Sequence, residues 1–407
     1  MPFFAYKHCH TAGWGVVFSL LFSCNEPPSP VGAEFLPDTA ELKTLSSADT
    51  LLIAAAFTER VQQPIFNIGT LFVGRFQDME ARTLLRFTDI PDSLPYVTAA
   101  DILQATVVLT PERYALGDTS AGATHLSFRI AKVLRLWSPK STWDSLFAAG
   151  DAGTIDPSEL GRWEGNIPLR DTAEPVRVEL NEAGRQLVAE WLRFQADSTL
   201  RQQIYGIALL PTLATTAIRA FATQAVGRLE RPAPQLQVVY RRRDNVIDTL
   251  RLAAGYAGSF ISPPQADTTR LLVLQPGVQY APRLHIRLDA LPATAAIHRA
   301  ELRLWTDTTA YWTSNYGRLR TLTLTPTDSG VPSWIGATAT YDATSSSFIS
   351  KSLAPILEYW LRRGRQGTLS ISLPATDLYS RLDRITLERS GPRAPLLLIL
   401  YSARRQP

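Results

Sequence analysis

The sequence predicts a mainly β protein of two tandem antiparallel β-sandwich domains, jelly-roll-like, each with one packed helix. Three observations lead there. Short apolar runs rich in branched and aromatic residues are bounded by Pro, Gly, Asp or Ser. A series of such segments occurs twice in the same order. Each copy also holds one run with helical rather than alternating spacing.

The strand reading rests on period. Leu319 to Thr325 alternates Leu with Thr or Arg, which puts one set of side chains inside and the other outside. Leu236 to Tyr240, Leu302 to Trp305 and Leu396 to Tyr401 are short and apolar between breakers. The duplication joins them: Asp49–Ala55 returns as Asp248–Ala254, Arg82–Phe87 as Arg283–Leu288, and Ile102–Leu109 as Ile297–Leu304. Trp191-Leu192-Arg193 returns as Trp360-Leu361-Arg362, and Ala233-Pro234 leading to Tyr240 returns as Ala394-Pro395 leading to Tyr401. The spacing shrinks along the chain, as two copies with loops of different length require.

In the first copy, Asn181 is a fitting N-cap for a helix whose apolar stripe is Gly184, Leu187, Val188, Trp191 and Leu192. In the second, Ser352 leads Leu353, Ile356, Leu357, Trp360 and Leu361, with Pro355 in the first turn and Gly364 as the stop. Trp191 and Trp360 share a place on an apolar face, which makes them core plugs rather than ligand platforms.

The chain opens with Lys7, His8 and His10, an apolar stretch from Gly13 to Phe22, and then Pro27, Pro28 and Pro30. That run is about half the ~20 residues a membrane span needs, so it reads as an export signal. Leu21-Phe22-Ser23-Cys24 resembles the lipobox of bacterial lipoproteins, with bulky Phe22 as the departure. The resemblance implies cleavage after residue 23, lipidation of Cys24 and attachment to the outer membrane. Several acyl chains anchor stably, at about 0.8 kcal/mol per buried methylene. Cys9 lies in the segment to be removed, so no disulfide is expected in the mature chain. A Pro-rich tether is expected over 24–47, the first sandwich over 48–242 and the second over 243–407, with a junction near 241–247. Loss of residues 1–23 leaves 40 Lys and Arg against 37 Asp and Glu, a net charge of +3. The charge is spread, and only Arg241-Arg242-Arg243 is dense, so no nucleic-acid footprint is expected.

Arg82–Phe87, Gln104–Leu109, Arg135-Leu136-Trp137 with Thr142-Trp143, Glu190-Trp191-Leu192 and Pro234–Tyr240 together resemble the DNRLRE modules of secreted and cell-wall bacterial proteins, which are β-sandwiches. The first copy covers nearly the whole pattern; the second lacks the paired Trp and has Tyr359 in place of Glu190. Val31–Asp38 resembles the start of an uncharacterised Bacteroidetes lipoprotein family. Neither resemblance brings a known active site.

No catalytic residue and no cofactor is predicted. His125, His285 and His298 have no ligand spacing, and the chain carries no nucleophile elbow and no phosphate-cradling loop. Asp151, Asp156 and Glu159 offer oxygen ligands to a hard cation, or else form a solvated turn. Tyr311, Trp312, Asn315, Tyr316 and Arg318 sit in one loop, where rings stack on sugars while Asn and Arg donate hydrogen bonds, or where the rings simply cover the mouth of the sandwich. The expectation is a non-enzymatic, lipid-anchored binding or scaffold component of the envelope, its partner a glycan or another envelope protein. A carbohydrate-binding lipoprotein and a surface carbohydrate-processing enzyme are the alternatives.

Overall fold

The computed structural model describes residues 42–61, 65–66, 70–170, 173–223, 233–278 and 280–403. They form two antiparallel β-sandwiches. In the first, one layer runs Val176–Glu179, Ile102–Leu109, Gln235–Arg241 and the start of Ile247–Ile261. The other runs from the end of that same strand through Met79–Phe87, Ile207–Pro211 and Ala123–Lys132 to Gly161–Pro168. The 15-residue strand passes between layers at Gly255, where the pairing slips between Ala254 and Tyr256. A Cβ at Gly255 would lie 2.0 Å from the Thr88 hydroxyl, so the corner requires glycine.

The second sandwich repeats the plan with Ser347–Ser350, Ala296–Trp305, Leu396–Ser402 and Leu42–Ser46, then Ile53–Arg60, Tyr280–Arg287, Gln366–Ser372, Thr321–Pro326 and Ala337–Asp342. Ala337–Asp342 also pairs with Ser347–Ser350, which wraps its nine strands into one continuous sheet. The copies agree in register. Val107 faces Leu236 as Leu302 faces Leu397, and Leu85 faces Ile207 as Ile286 faces Gly367.

Chain order and domain order differ from the expected division. Leu42–Ser46, inside the predicted tether, pairs along its length with the last strand, from Leu42 opposite Ser402 to Ser46 opposite Leu398. Ile53–Arg60 pairs with Tyr280–Arg287. The opening strands of the chain therefore complete the second sandwich, and the first is inserted between its parts. The predicted junction at 241–247 is a hairpin turn within the first sandwich: Arg241 faces Ile247, Arg242 and Val246 are bonded at 2.8 Å, and Asn245 takes φ 63°. Asn tolerates that left-handed position, and the Arg243 guanidinium rests 4.1 Å over the Tyr96 ring. The leading segments are equivalent as elements, but Lys43 rather than Asp49 takes the place of Asp248, since Lys43 faces Tyr401 as Asp248 faces Tyr240.

The helix Glu182–Ala196 starts as expected, with the Asn181 side chain accepting from Gly184 N at 3.0 Å. Helix Ala354–Arg363 begins after Leu353 without a side-chain cap; Ser352 instead makes a bridge to Ala300, so its backbone is held by the sheet. Gly364 is extended at φ 163°, and the left-handed residue is Arg365 at φ 59°. The Arg365 guanidinium offsets that strain by donating to the carbonyls of Leu288, Asp289 and Leu291. Trp191 and Trp360 are each buried in the core of their own sandwich.

Candidate functional site

A third apolar cluster lies between the sandwiches, built from Ile65, Phe72, Met79, Tyr114, Leu116 and Ile218 on one side and Val278 and Leu382 on the other. The aromatic loop 311–318 belongs to this seam. Trp312 exchanges backbone hydrogen bonds with Arg384 at 3.0 and 3.1 Å and sets its ring edge-on to Phe76 at 5.3 Å. The Arg384 guanidinium stacks 3.5 Å from the same ring and donates to Gln275 at 2.9 Å; burial holds its pKa down to about 10. Asn315 behaves like a strand residue at the edge of Pro111–Gly117. Its side chain accepts from Ala115 N at 2.8 Å and donates to Arg113 O at 2.9 Å, and its own N–H donates to Ala115 O at 3.1 Å.

Arg318 lies between the Tyr311 and Tyr341 rings, 5.0 and 4.9 Å from their centroids, and donates to the Tyr341 hydroxyl. Burial pushes the Tyr311 phenol up to about 12. Tyr316 packs edge-on to Tyr114 at 5.4 Å and keeps 47% of its surface in solvent. The structure thus brings the five residues together, but it commits Trp312 and Asn315 to holding the seam and Tyr311 and Arg318 to packing within the second sandwich. Tyr316 is half exposed, with Tyr114 at its edge and the Arg381 guanidinium 5.8 Å over its ring.

Beneath the loop is a buried polar knot. Asp383 accepts from Arg381 at 2.9 Å and from Ser314 N at 2.6 Å. Tyr114 reaches across the seam, its hydroxyl accepting from Leu382 N at 2.7 Å and donating to Asp383 at 3.3 Å. Burial, with the Asp383 charge, raises the Tyr114 phenol well above its ordinary value near 10. The folded protein therefore keeps a proton that the unfolded chain releases from about pH 10 upward. The Tyr114 contribution is constant below that point and falls as pH rises through it. Tyr114→Phe is expected to cost about 1–3 kcal/mol by leaving Leu382 N unpaired, and to flatten the loss of stability above pH 10 in urea titrations.

The loop at 151–159 sends its three acids to different partners. Asp151 pairs with Arg82, Asp156 accepts from Ser158 N at 2.8 Å, and Glu159 grips Arg162 with contacts of 2.6 to 3.2 Å. These bonds hold the Asp156 and Glu159 carboxyls below their usual range. Among the described residues no group of three or more His, Cys, Asp or Glu is arranged to hold a metal ion. His285 meets Thr368 at 3.2 Å and His298 meets Ser402 at 2.8 Å, both across strands. Cys24 lies outside the described residues. Among the described residues no helix is long and apolar enough to cross a membrane.

One aromatic escaped the sequence reading. Trp334 is 80% exposed, on a turn closed by Ile335 N to Pro332 O at 2.9 Å. Gly330 and Pro332 mark a turn in the sequence, and a Trp between such breakers and an alternating strand was the available signal.

No family model and no curated protein matches the chain. Among solved structures it is matched to that of the Macrobrachium rosenbergii nodavirus, at 9% identity over 97% of both chains with a TM-score of 0.18.

Proposed function

We propose that the chain is a lipid-anchored, non-enzymatic binding or scaffold component of the cell envelope, its two sandwiches being DNRLRE-like. The observation that carries the reading is the lipobox-like Leu21-Phe22-Ser23-Cys24 ahead of a Pro-rich run. The fold is in keeping with a scaffold: two sandwiches, the first inserted between parts of the second, meet at an apolar seam, which suits a body that presents surfaces. The test is fractionation of cells expressing the full chain and Cys24→Ser. The expected result is that the unaltered chain sediments with membranes, with an acylated Cys24 at its amino end by mass analysis, while the variant does not. An unmodified amino end in the unaltered chain would overturn the anchor.

A further inference from the structure

On the outer face of the second sandwich, two rungs of side chains lie side by side. Thr321 faces Thr340, which faces Ile349 on the next strand. Thr323 faces Thr338, and continuing the same register sets Lys351 beside Thr338. Thr338, Thr340, Asp342, Ile349, Lys351 and Ser352 line an open groove of about 560 Å³. Ile335, Ala337 and Ala339 point into the core, so Gly336, Thr338 and Thr340 face outward in one row, and the exposed Trp334 lies in the turn that leads into that row.

The segment leading to Trp334 is tied to the body of the sandwich. Ile335 is buried behind it, and the Tyr359 hydroxyl donates to Gly330 O at 2.6 Å. Asp328 accepts from Thr368 N with both oxygens, at 3.2 and 3.1 Å. A large apolar ring kept in water is a ready contact surface, and the braced segment before it leaves less loop entropy to be lost on binding.

We propose that this groove is a binding site for a neutral polysaccharide chain, Trp334 stacking on the C–H face of one sugar ring while Thr338, Thr340 and Lys351 hydrogen-bond hydroxyls further along. Neutral sugar rings offer an apolar face and many hydroxyls, which matches one aromatic beside a row of hydroxyl side chains. The two ionic groups, Asp342 and Lys351, have opposite sign, so the groove has no net charge with which to select an ionic polymer. Trp334 to Asp342 spans at most about 26 Å of extended chain, long enough for several sugars in line. The proposal deepens the envelope-binding reading by giving it a ligand class, and rests on it only for location.

The test is affinity electrophoresis of the detergent-solubilised full chain in gels containing a mixed-linkage β-glucan, an arabinoxylan, a dextran or glycogen. The expected result is retardation in at least one gel. Trp334→Ala should weaken it about tenfold, close to 1.4 kcal/mol, and Thr338→Val with Thr340→Val should weaken it as well. Trp334 and both threonines are solvent-facing, so the melting temperature of each variant should stay within a degree or two. Equal retardation of the unaltered chain and Trp334→Ala would overturn the groove while leaving glycan binding standing. No retardation in any of the four gels would overturn both, and would leave the membrane-anchor experiment as the independent test of the scaffold.

Discussion

Asp383→Ala is expected to lower stability by about 3–5 kcal/mol, the range for removing one partner of a buried ion pair. The Asp383 side chain is only 1% exposed and that of Arg381 9%. Burial works against the Arg381 charge, but the hydrogen bonds and charge of Asp383 outweigh it and raise the guanidinium above its ordinary value. Without Asp383 that guanidinium is left with the Tyr316 ring and with hydrogen bonds to Ser314 at 3.3 Å and Gly317 O at 2.6 Å, and Ser314 N loses its acceptor. Such a loss is comparable with the whole stability of many domains. Denaturant titration checks it, and a change under 1 kcal/mol would mean the knot is not buried as described. Asp383→Asn keeps the shape and removes the charge, so it should fall between the two and separate lost attraction from lost packing.

Trp360→Ala should cost a similar amount, about 3–5 kcal/mol, for a different reason. Its ring lies flat against the backbone of Gly367, where an added Cβ would stand 2.0 Å from the indole. Truncation leaves a cavity that neither Gly367 nor the rigid strand around it can fill. The indole N–H has no hydrogen-bond partner among the described residues. Trp360→Phe removes that unpaired donor while keeping most of the apolar bulk, so it should cost much less than Trp360→Ala. A single unfolding transition is expected in both variants, because the two sandwiches share an apolar cluster and are joined by the Tyr114–Asp383 and Asn315–Ala115 hydrogen bonds across the seam. Two separate transitions would contradict that coupling.

The difference between these two sites shows what the sequence could and could not convey. Trp360 and Trp191 were readable because helical spacing places them on an apolar stripe, and the stripe alone dictates burial. The alternation of Leu and Thr at 319–325 likewise fixed which side chains face out. The partner of a strand carries no such local mark. Leu42–Ser46 reads as part of the tether and Ile53–Arg60 as the start of the first sandwich, yet their neighbours are more than two hundred residues away. The three arginines at 241–243 concealed an ordinary turn signal in Asp244-Asn245. At 311–318 the aromatic content was plain, but a ring buried between two domains and a ring facing solvent have the same spelling. Trp334 is the converse: one aromatic among turn residues drew less notice than three together.

Since Leu42–Ser46 lies against Leu396–Ser402, the first described strand to be synthesised finds its place only when a strand some 350 residues further on has been made. A chain stopped short of residue 396 would leave that opening strand without a neighbour, its backbone donors and acceptors unpaired along a raw edge. Products truncated before that strand would be sticky and prone to degradation, and the sheet closes only once residues 396–402 are in place.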